Sequence, residues 1–399
     1  MHGSLALNSI GRLSVVSWGF RLTLLVACIA GAAAGLHWRH QRWHLVGAAL
    51  LTVMLLGANV ADSVNAHYSY LPNVASVFTG YRAADQNSWT TAISARHRHE
   101  HSVAYPAAAP PVMAAPPAIT ESAPPARGTV VEVSIPGIAS GFMGRPAEVY
   151  LPPAWISRPS VRLPVLVMLH GTPGSPLDWT RSAGVDVISD RWAGQHGGVA
   201  PILVMPDVNG RFFGDSECTD GPKGNVDTYL SVDVPGWIRS HLHPAVGPQG
   251  WAVGGLSEGG LCAIDQTLRH PQVYATFLDF SGDAHPSHRG GMETLFDGSV
   301  RTREALVRTY DPMHLLAGFD HPTQITGWFE VGTGDRFLLA AARDMHGLAH
   351  QRGMDTRLVV VPRGHHDFRM WKRSFHDAYL WVAPRLTDAS DIPGEPRRA

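Results

Sequence analysis

Hydrophobic and polar positions divide the chain into regions of different texture. Near the N-terminus two apolar runs, Leu22–Leu36 (LTLLVACIAGAAAGL) and Leu45–Ala61 (LVGAALLTVMLLGANVA), flank a short polar stretch at His37–His44. Each run is near the lower limit of the roughly 17 to 25 residues that span hydrocarbon. The first extends back through Leu13–Phe20 only by carrying Arg21, which must then snorkel. The pair predicts a transmembrane helical hairpin in an anchoring segment over 1–65. In a competing reading Leu22–Leu36 is a signal-peptide core behind Arg12 and Arg21, with small residues near Ala34 as the cleavage site. Buried helices of a soluble domain are the third. Arg12, Arg21, Arg39 and Arg42 do not by themselves set an orientation across a bilayer.

Residues 66–127 read as a linker. From Ala104 to Arg127 the chain is dense in proline and alanine, with no periodicity that would bury a face, so a semi-rigid extended spacer is expected. The preceding RHRHEH tract holds His97, His99 and His101. It reads as a solvated patch rather than a metal site, because no rigid element fixes the ligands.

After Gly128 short apolar runs alternate with longer mixed segments. Strands are predicted at Thr129–Ser134, Ala147–Leu151, Pro164–Leu169, Ile202–Met205, Trp251–Gly255, Tyr274–Phe280, Thr326–Gly332 and Arg357–Val361. Inner runs such as VLVML and ILVM are continuously apolar, as strands covered on both faces must be. The first two alternate and are closely joined, which suggests an antiparallel start. Helices are predicted at Asp227–Ser240, Glu258–Arg269, Arg336–Gln351 and Phe368–Ala383. Strands with crossover helices make an α/β domain with an open, mostly parallel eight-stranded sheet over 128–386, followed by a disordered tail at 387–399.

Composition changes this picture little. The 399 residues are 45% hydrophobic and 16% charged, against about 25% charged in an average soluble domain, in keeping with an apolar N-terminal segment. Lys plus Arg total 32 against 33 for Asp plus Glu, so there is no basic footprint for nucleic acid. Cys28, Cys218 and Cys262 are too few and too scattered for a disulfide scaffold or a thiolate zinc site. No phosphate-binding loop, dinucleotide fingerprint or metal-ligand cluster occurs in a convincing context, so no cofactor and no metal is expected.

The sharpest chemical signal is Gly255-Leu256-Ser257-Glu258-Gly259-Gly260, placed directly after a predicted strand and before a predicted helix. Glycines there permit a strained turn and close helix–strand approach, which lifts Ser257 Oγ clear of the backbone at the sheet edge. A serine hydroxyl is a weak nucleophile at neutral pH and needs a base, which in turn needs an orienting acid. Thr333-Gly334-Asp335 and Gly364-His365-His366-Asp367-Phe368 each follow a later strand. Asp335 also suits a helix N-cap, and Asp283 in Ser281-Gly282-Asp283 is the rival acid.

Gly364-His365-His366-Asp367-Phe368 with Trp371 resembles the G-x-H-D-[WF]-x-x-W ending of α/β-hydrolases of the esterase D and antigen 85 type. The resemblance covers roughly Gly128 to Leu386, and the order Ser257, Asp335, His366 is that of α/β-hydrolases. It implies His366 as the base, with His365 a neighbour, and Asp335 as the acid. Leu169-His170-Gly171-Thr172-Pro173-Gly174 resembles the family's oxyanion loop. The implied donors are the backbone amides of Thr172 (or Gly171) and Glu258, since Pro173 has no amide proton. Gly171 and Trp179 are implied at the substrate site, with core packing the alternative for Trp179. The long Gly-rich segment Asp207–Leu230 resembles the entrance region of actinobacterial members, which implies a disulfide between Cys218 and Cys262, or else two buried thiols.

What this resemblance implies is a membrane-anchored serine carboxylesterase acting on a small-molecule or lipid acyl ester, with its catalytic domain on the extracytoplasmic side of the cell membrane. An acyltransferase acting on a cell-envelope acceptor is the alternative within enzymes, and a catalytically silent binding domain the alternative outside them.

Overall fold

The apolar runs after Gly128 are strands of one sheet: β1 (Thr129–Val133), β2 (Ala147–Leu151), β3 (Val165–Leu169), β4 (Ile202–Met205), β5 (Trp251–Leu256), β6 (Thr276–Phe280), β7 (Thr326–Gly332) and β8 (Asp355–Val361). The computed structural model describes residues 42–68, 125–320 and 324–388, together with 25–26, 28–29, 70, 92–93 and 96. The chain divides into two units, Met1–Ala83 with Asp367–Arg369 and Ala84–His366 with Met370–Ala399. In spatial order the eight strands run β1-β2-β4-β3-β5-β6-β7-β8. β2 is antiparallel to both β1 and β4, and the pairs from β4 through β8 are parallel. The antiparallel start and parallel remainder match the expectation from the strand patterns.

Every residue of β3, β4, β5 and β6 is buried. That explains why β3 and β4 read as unbroken apolar runs rather than alternating ones. Edge strand β8 instead alternates exposed and partly buried positions over much of its length.

The described helices of seven or more residues are α1 (Arg42–Tyr68), α2 (Val185–Gln195), α3 (Val234–Leu242), α4 (Glu258–Arg269), α5 (Val300–Thr309), α6 (Pro312–Gly318), α7 (Arg336–Gln351) and α8 (Phe368–Asp388). Helices α4 and α7 have the predicted bounds, and α8 runs on into the segment expected to be tail. The helix expected over Asp227–Ser240 is broken. A π-helical stretch at Tyr229–Asp233 precedes α3, whose second residue is Pro235. Proline cannot donate to the preceding turn, so the backbone ladder changes register before it. Helices α2 and α5 went unpredicted because their sequences are mixed and polar, and α6 because seven residues are too few to show a helical period.

The expected transmembrane hairpin is not found: among the described residues no helix is long and apolar enough to cross a membrane. The run Leu45–Ala61 is helical as part of α1, and most of Leu22–Leu36 lies outside the described residues. So do the proline-rich spacer up to residue 124 and the His97, His99 and His101 tract.

Candidate active site

The site begins at the turn between β5 and α4. Ser257 has φ 55° and ψ −125°, a left-handed conformation costly for a residue with a Cβ and one that surrounding structure must hold. The flanking glycines explain how. A Cβ on Gly259 would lie 2.2 Å from the Leu169 carbonyl oxygen, and one on Gly255 would lie 2.0 Å from the carbonyl oxygen of Gly259. Only glycine lets α4 start this close to β3 and β5. The turn is pinned further by the Ser257 amide, which donates to the Phe280 carbonyl at 3.0 Å.

Asp335 and His366 arrive from the C-terminal ends of the neighbouring parallel strands β7 and β8, where Gly332 pairs with Val361. His366 Nε2 lies 3.0 Å from Ser257 Oγ, and His366 Nδ1 lies 2.8 Å from Asp335 Oδ2. The side chains are 28% exposed for His366 and 14% for Asp335, so the imidazole is reachable from solvent while its carboxylate partner is mostly covered. Trp371 meets the His366 ring edge-on, with centroids 4.8 Å apart, and limits its rotation. Asp335 occupies the residue before α7, yet its side chain makes no capping bond there.

The competing residues do not make these hydrogen bonds. His365 is exposed. Asp283 is close enough to feel the charges of both His366 and Asp335, and burial raises its pKa, with His366 opposing the rise and Asp335 adding to it. The hydrogen bond to Nδ1 nonetheless comes from Asp335.

Gly171 abuts Ser257: a Cβ there would be 3.0 Å from Ser257 Cβ and from the Leu256 carbonyl oxygen. Thr172, next along, joins Pro173 through a cis peptide bond. Trp179 is corrected relative to its implied place at the substrate site. It is 0% exposed and packs between Phe280 and Phe375, with centroids 6.4 and 6.2 Å away. Its ring fills the core beneath the site, the other of the two roles open to it.

Cys218 and Cys262 are joined by a disulfide, with Cα atoms 5.7 Å apart. It ties the segment after β4 to helix α4 one turn beyond Ser257. Among the described residues no group of three or more His, Cys, Asp or Glu is placed to hold a metal ion.

Two arrangements escaped the sequence reading. Behind the loop that follows β3, Asp207 receives Arg145 Nη2 at 2.6 Å and lies 2.9 Å from His170 Nε2, while Arg145 also donates to the Gly174 carbonyl at 3.0 Å. Burial of Asp207 opposes its charge, but hydrogen bonds from His170 and Arg145 outweigh it and hold the carboxyl below its ordinary range. The second is the buried side chain of Glu258, beside Thr172, Asn209, Ser216 and Glu217. Burial pushes its pKa up, Asp215 pushes the same way, and hydrogen bonds with Thr172 and Asn209 resist. An aspartate two residues past β4, Asp207, was the one available hint of the first. No local signal marked the second.

Sheet order, the strand–turn–helix at Ser257 and the facing imidazole and carboxylate define an α/β-hydrolase. The chain belongs to the Esterase family, whose model matches residues 143–382. It is 35% identical over 270 residues to an uncharacterized protein of Corynebacterium glutamicum, covering 65% of this chain and 62% of that relative. The chain thus spans less than two thirds of that relative's length. An acetyl esterase of Caldicellulosiruptor saccharolyticus is 21% identical over 236 residues, covering 56% of this chain and 85% of that protein. Among solved structures, a ferulic acid esterase aligns with a TM-score of 0.57 at 18% identity, covering 65% of this chain and 99% of the other. An S-formylglutathione hydrolase from Agrobacterium tumefaciens aligns with a TM-score of 0.54 at 20% identity, covering 65% and 96%. These two likenesses show the fold alone.

Proposed function

We propose that the protein is a serine carboxylesterase that works through an acyl-enzyme. The observation that carries this reading is the unbroken line from Asp335 through His366 to Ser257, with 2.8 and 3.0 Å links. Ser257 Oγ attacks the ester carbonyl carbon as its proton passes to His366 Nε2. Asp335 holds the imidazole in orientation and stabilises the imidazolium that forms. The carbonyl oxygen takes up the negative charge opposite the amides of Thr172 and Glu258. Collapse expels the alcohol, which takes the proton from His366, and leaves the acyl group on Ser257. Water activated by the same imidazole then releases the acid and restores the serine.

The substrate class in this reading is a small acyl ester, in keeping with family membership and with the acetyl esterase relative. Ser257→Ala should abolish turnover of a short p-nitrophenyl ester while leaving the circular dichroism melt in place. Undiminished turnover in that variant would reject the assignment. A fluorophosphonate probe should label the parent enzyme at Ser257, which a silent binding domain would not allow. Transfer of the acyl group to an added sugar, detected as a sugar ester, would replace water as the acceptor.

We further propose that the N-terminal segment attaches the enzyme to the cell membrane, with the catalytic part outside the cytoplasm. Support comes from the two apolar runs, from the exposed Val46, Leu50, Val53 and Met54 of α1, and from the disulfide, which favours an oxidising compartment. Release of the full chain from the membrane fraction by alkaline carbonate, or its resistance to external protease in intact cells, would overturn this placement.

A further inference from the structure

Glu258 follows the nucleophile directly, and its side chain turns inward rather than to solvent. Its Oε2 accepts from Asn209 Nδ2 at 2.7 Å and pairs with the Thr172 hydroxyl. Its Oε1 accepts from the amides of Ser216 and Glu217, at 3.1 and 3.0 Å. Asn209 Nδ2 also reaches Thr172 Oγ1 at 2.9 Å, and that hydroxyl lies 2.6 Å from the Gly214 carbonyl oxygen. One carboxyl group therefore connects the start of α4, the oxyanion loop and the segment after β4.

That segment needs holding. Glu217 and Cys218 have φ of 49° and 51°, two successive left-handed residues that carry a Cβ, a conformation that surrounding structure must hold. They are restrained at two points one helical turn apart on α4: Glu258 captures the Glu217 amide, and Cys262 bonds Cys218.

We propose that the Glu258 side chain is a positioning residue for the oxyanion hole: through the Thr172 hydroxyl it sets the Thr172 amide opposite its own. This rests on the serine-esterase reading above. A single residue then places both donors, one as its own backbone and the other through its carboxyl. The dry surroundings that push the carboxyl toward its neutral form also reduce negative charge next to the developing oxyanion.

The test is a set of variants in the full-length protein, read by steady-state hydrolysis of a short p-nitrophenyl ester and by thermal melts. Thr172→Val keeps the backbone amide and the side-chain shape but removes the hydroxyl. It should lower kcat about 100-fold, the loss expected when a reacting geometry moves by about 1 Å, with KM within threefold of the parent. Thr172→Ser restores the hydroxyl and should recover most of kcat. Glu258→Ala should show a similar kcat loss, and the double variant should be no slower than the slower single variant, because both changes cut the same link. Parental kcat in a folded Thr172→Val, failure of Thr172→Ser to recover, or multiplying losses in the double variant would each overturn the proposal. If Glu258→Ala does not fold, the Thr172 pair decides alone. Ser257→Ala separates the two levels: activity there removes the esterase reading, whereas an inactive Ser257→Ala beside a fully active Thr172→Val removes only this inference.

Discussion

Asp335 Oδ2 lies 2.8 Å from His366 Nδ1 although 31 residues separate the two in the chain. Parallel strands β7 and β8 deliver them side by side. The relationship distinguishes Asp335 from Asp283, which shares the neighbourhood without making that bond.

Asp335→Asn should therefore lower kcat by about 10⁴, the scale seen when the acid of such a triad is made an amide and the imidazole is left in the wrong tautomer. Asp283→Asn should cost less than tenfold. Hydrolysis of a p-nitrophenyl ester by the purified variants checks both values, and a larger loss at Asp283 would transfer the role to it.

The Cys218–Cys262 bond spans a sequence separation of 44. A loop of that size restricts the unfolded chain enough to stabilise the folded state by roughly 4 kcal/mol in the chain-entropy model. Urea unfolding with and without reductant should show the midpoint fall on reduction, and Cys218→Ser with Cys262→Ser should show the same fall without reductant. Alkylation of the denatured, unreduced chain should label Cys28 only. Labelling at all three positions, or a midpoint indifferent to reductant, would contradict this.

Acidity should act on stability through buried carboxyls, Glu148, Asp279 and Glu330 among them. Burial raises the pKa of Glu148, Asp279 and Glu330 to about 7 in each case, against the opposing pull of hydrogen bonds from Thr180, the Gly282 amide and Trp328 respectively. In the unfolded chain such groups titrate near 4. Between those values the folded state binds more protons than the unfolded one, so stability falls as pH rises. The contribution of these groups is complete below about pH 4 and is lost as pH passes through about 7. Asp207 has the opposite sign, its contribution being lost on acidification below about pH 4, outside this window. Thermal melts should thus give a higher Tm at pH 5.5 than at pH 8. Glu330→Gln, which mimics the protonated form, should raise Tm at pH 8 by roughly 2–4 °C for each kcal/mol recovered and raise it by clearly less at pH 5.5, where only part of the contribution has been lost. An equal effect at both pH values would show that Glu330 titrates normally.

Local sequence carried a large part of this structure. Continuous apolar runs such as VLVML and ILVM located inner strands because residues covered on both faces are mostly apolar, and Gly255 and Gly259 announced a turn that a Cβ at either position would block. The order of serine, acid and histidine along the chain was readable for the same reason: each sits on a loop directly after a recognisable strand. Other features existed only after folding. Trp179 reads equally well as pocket wall or core, and packing between Phe280 and Phe375 decided for the core. The Glu258 cluster joins residues 41 to 86 positions apart, and the Arg145–Asp207–His170 group joins residues 25 to 62 apart. A buried carboxyl takes its partners from whatever segments the sheet order brings past it, and hydrogen bonds made across such distances leave no periodicity or motif in the chain.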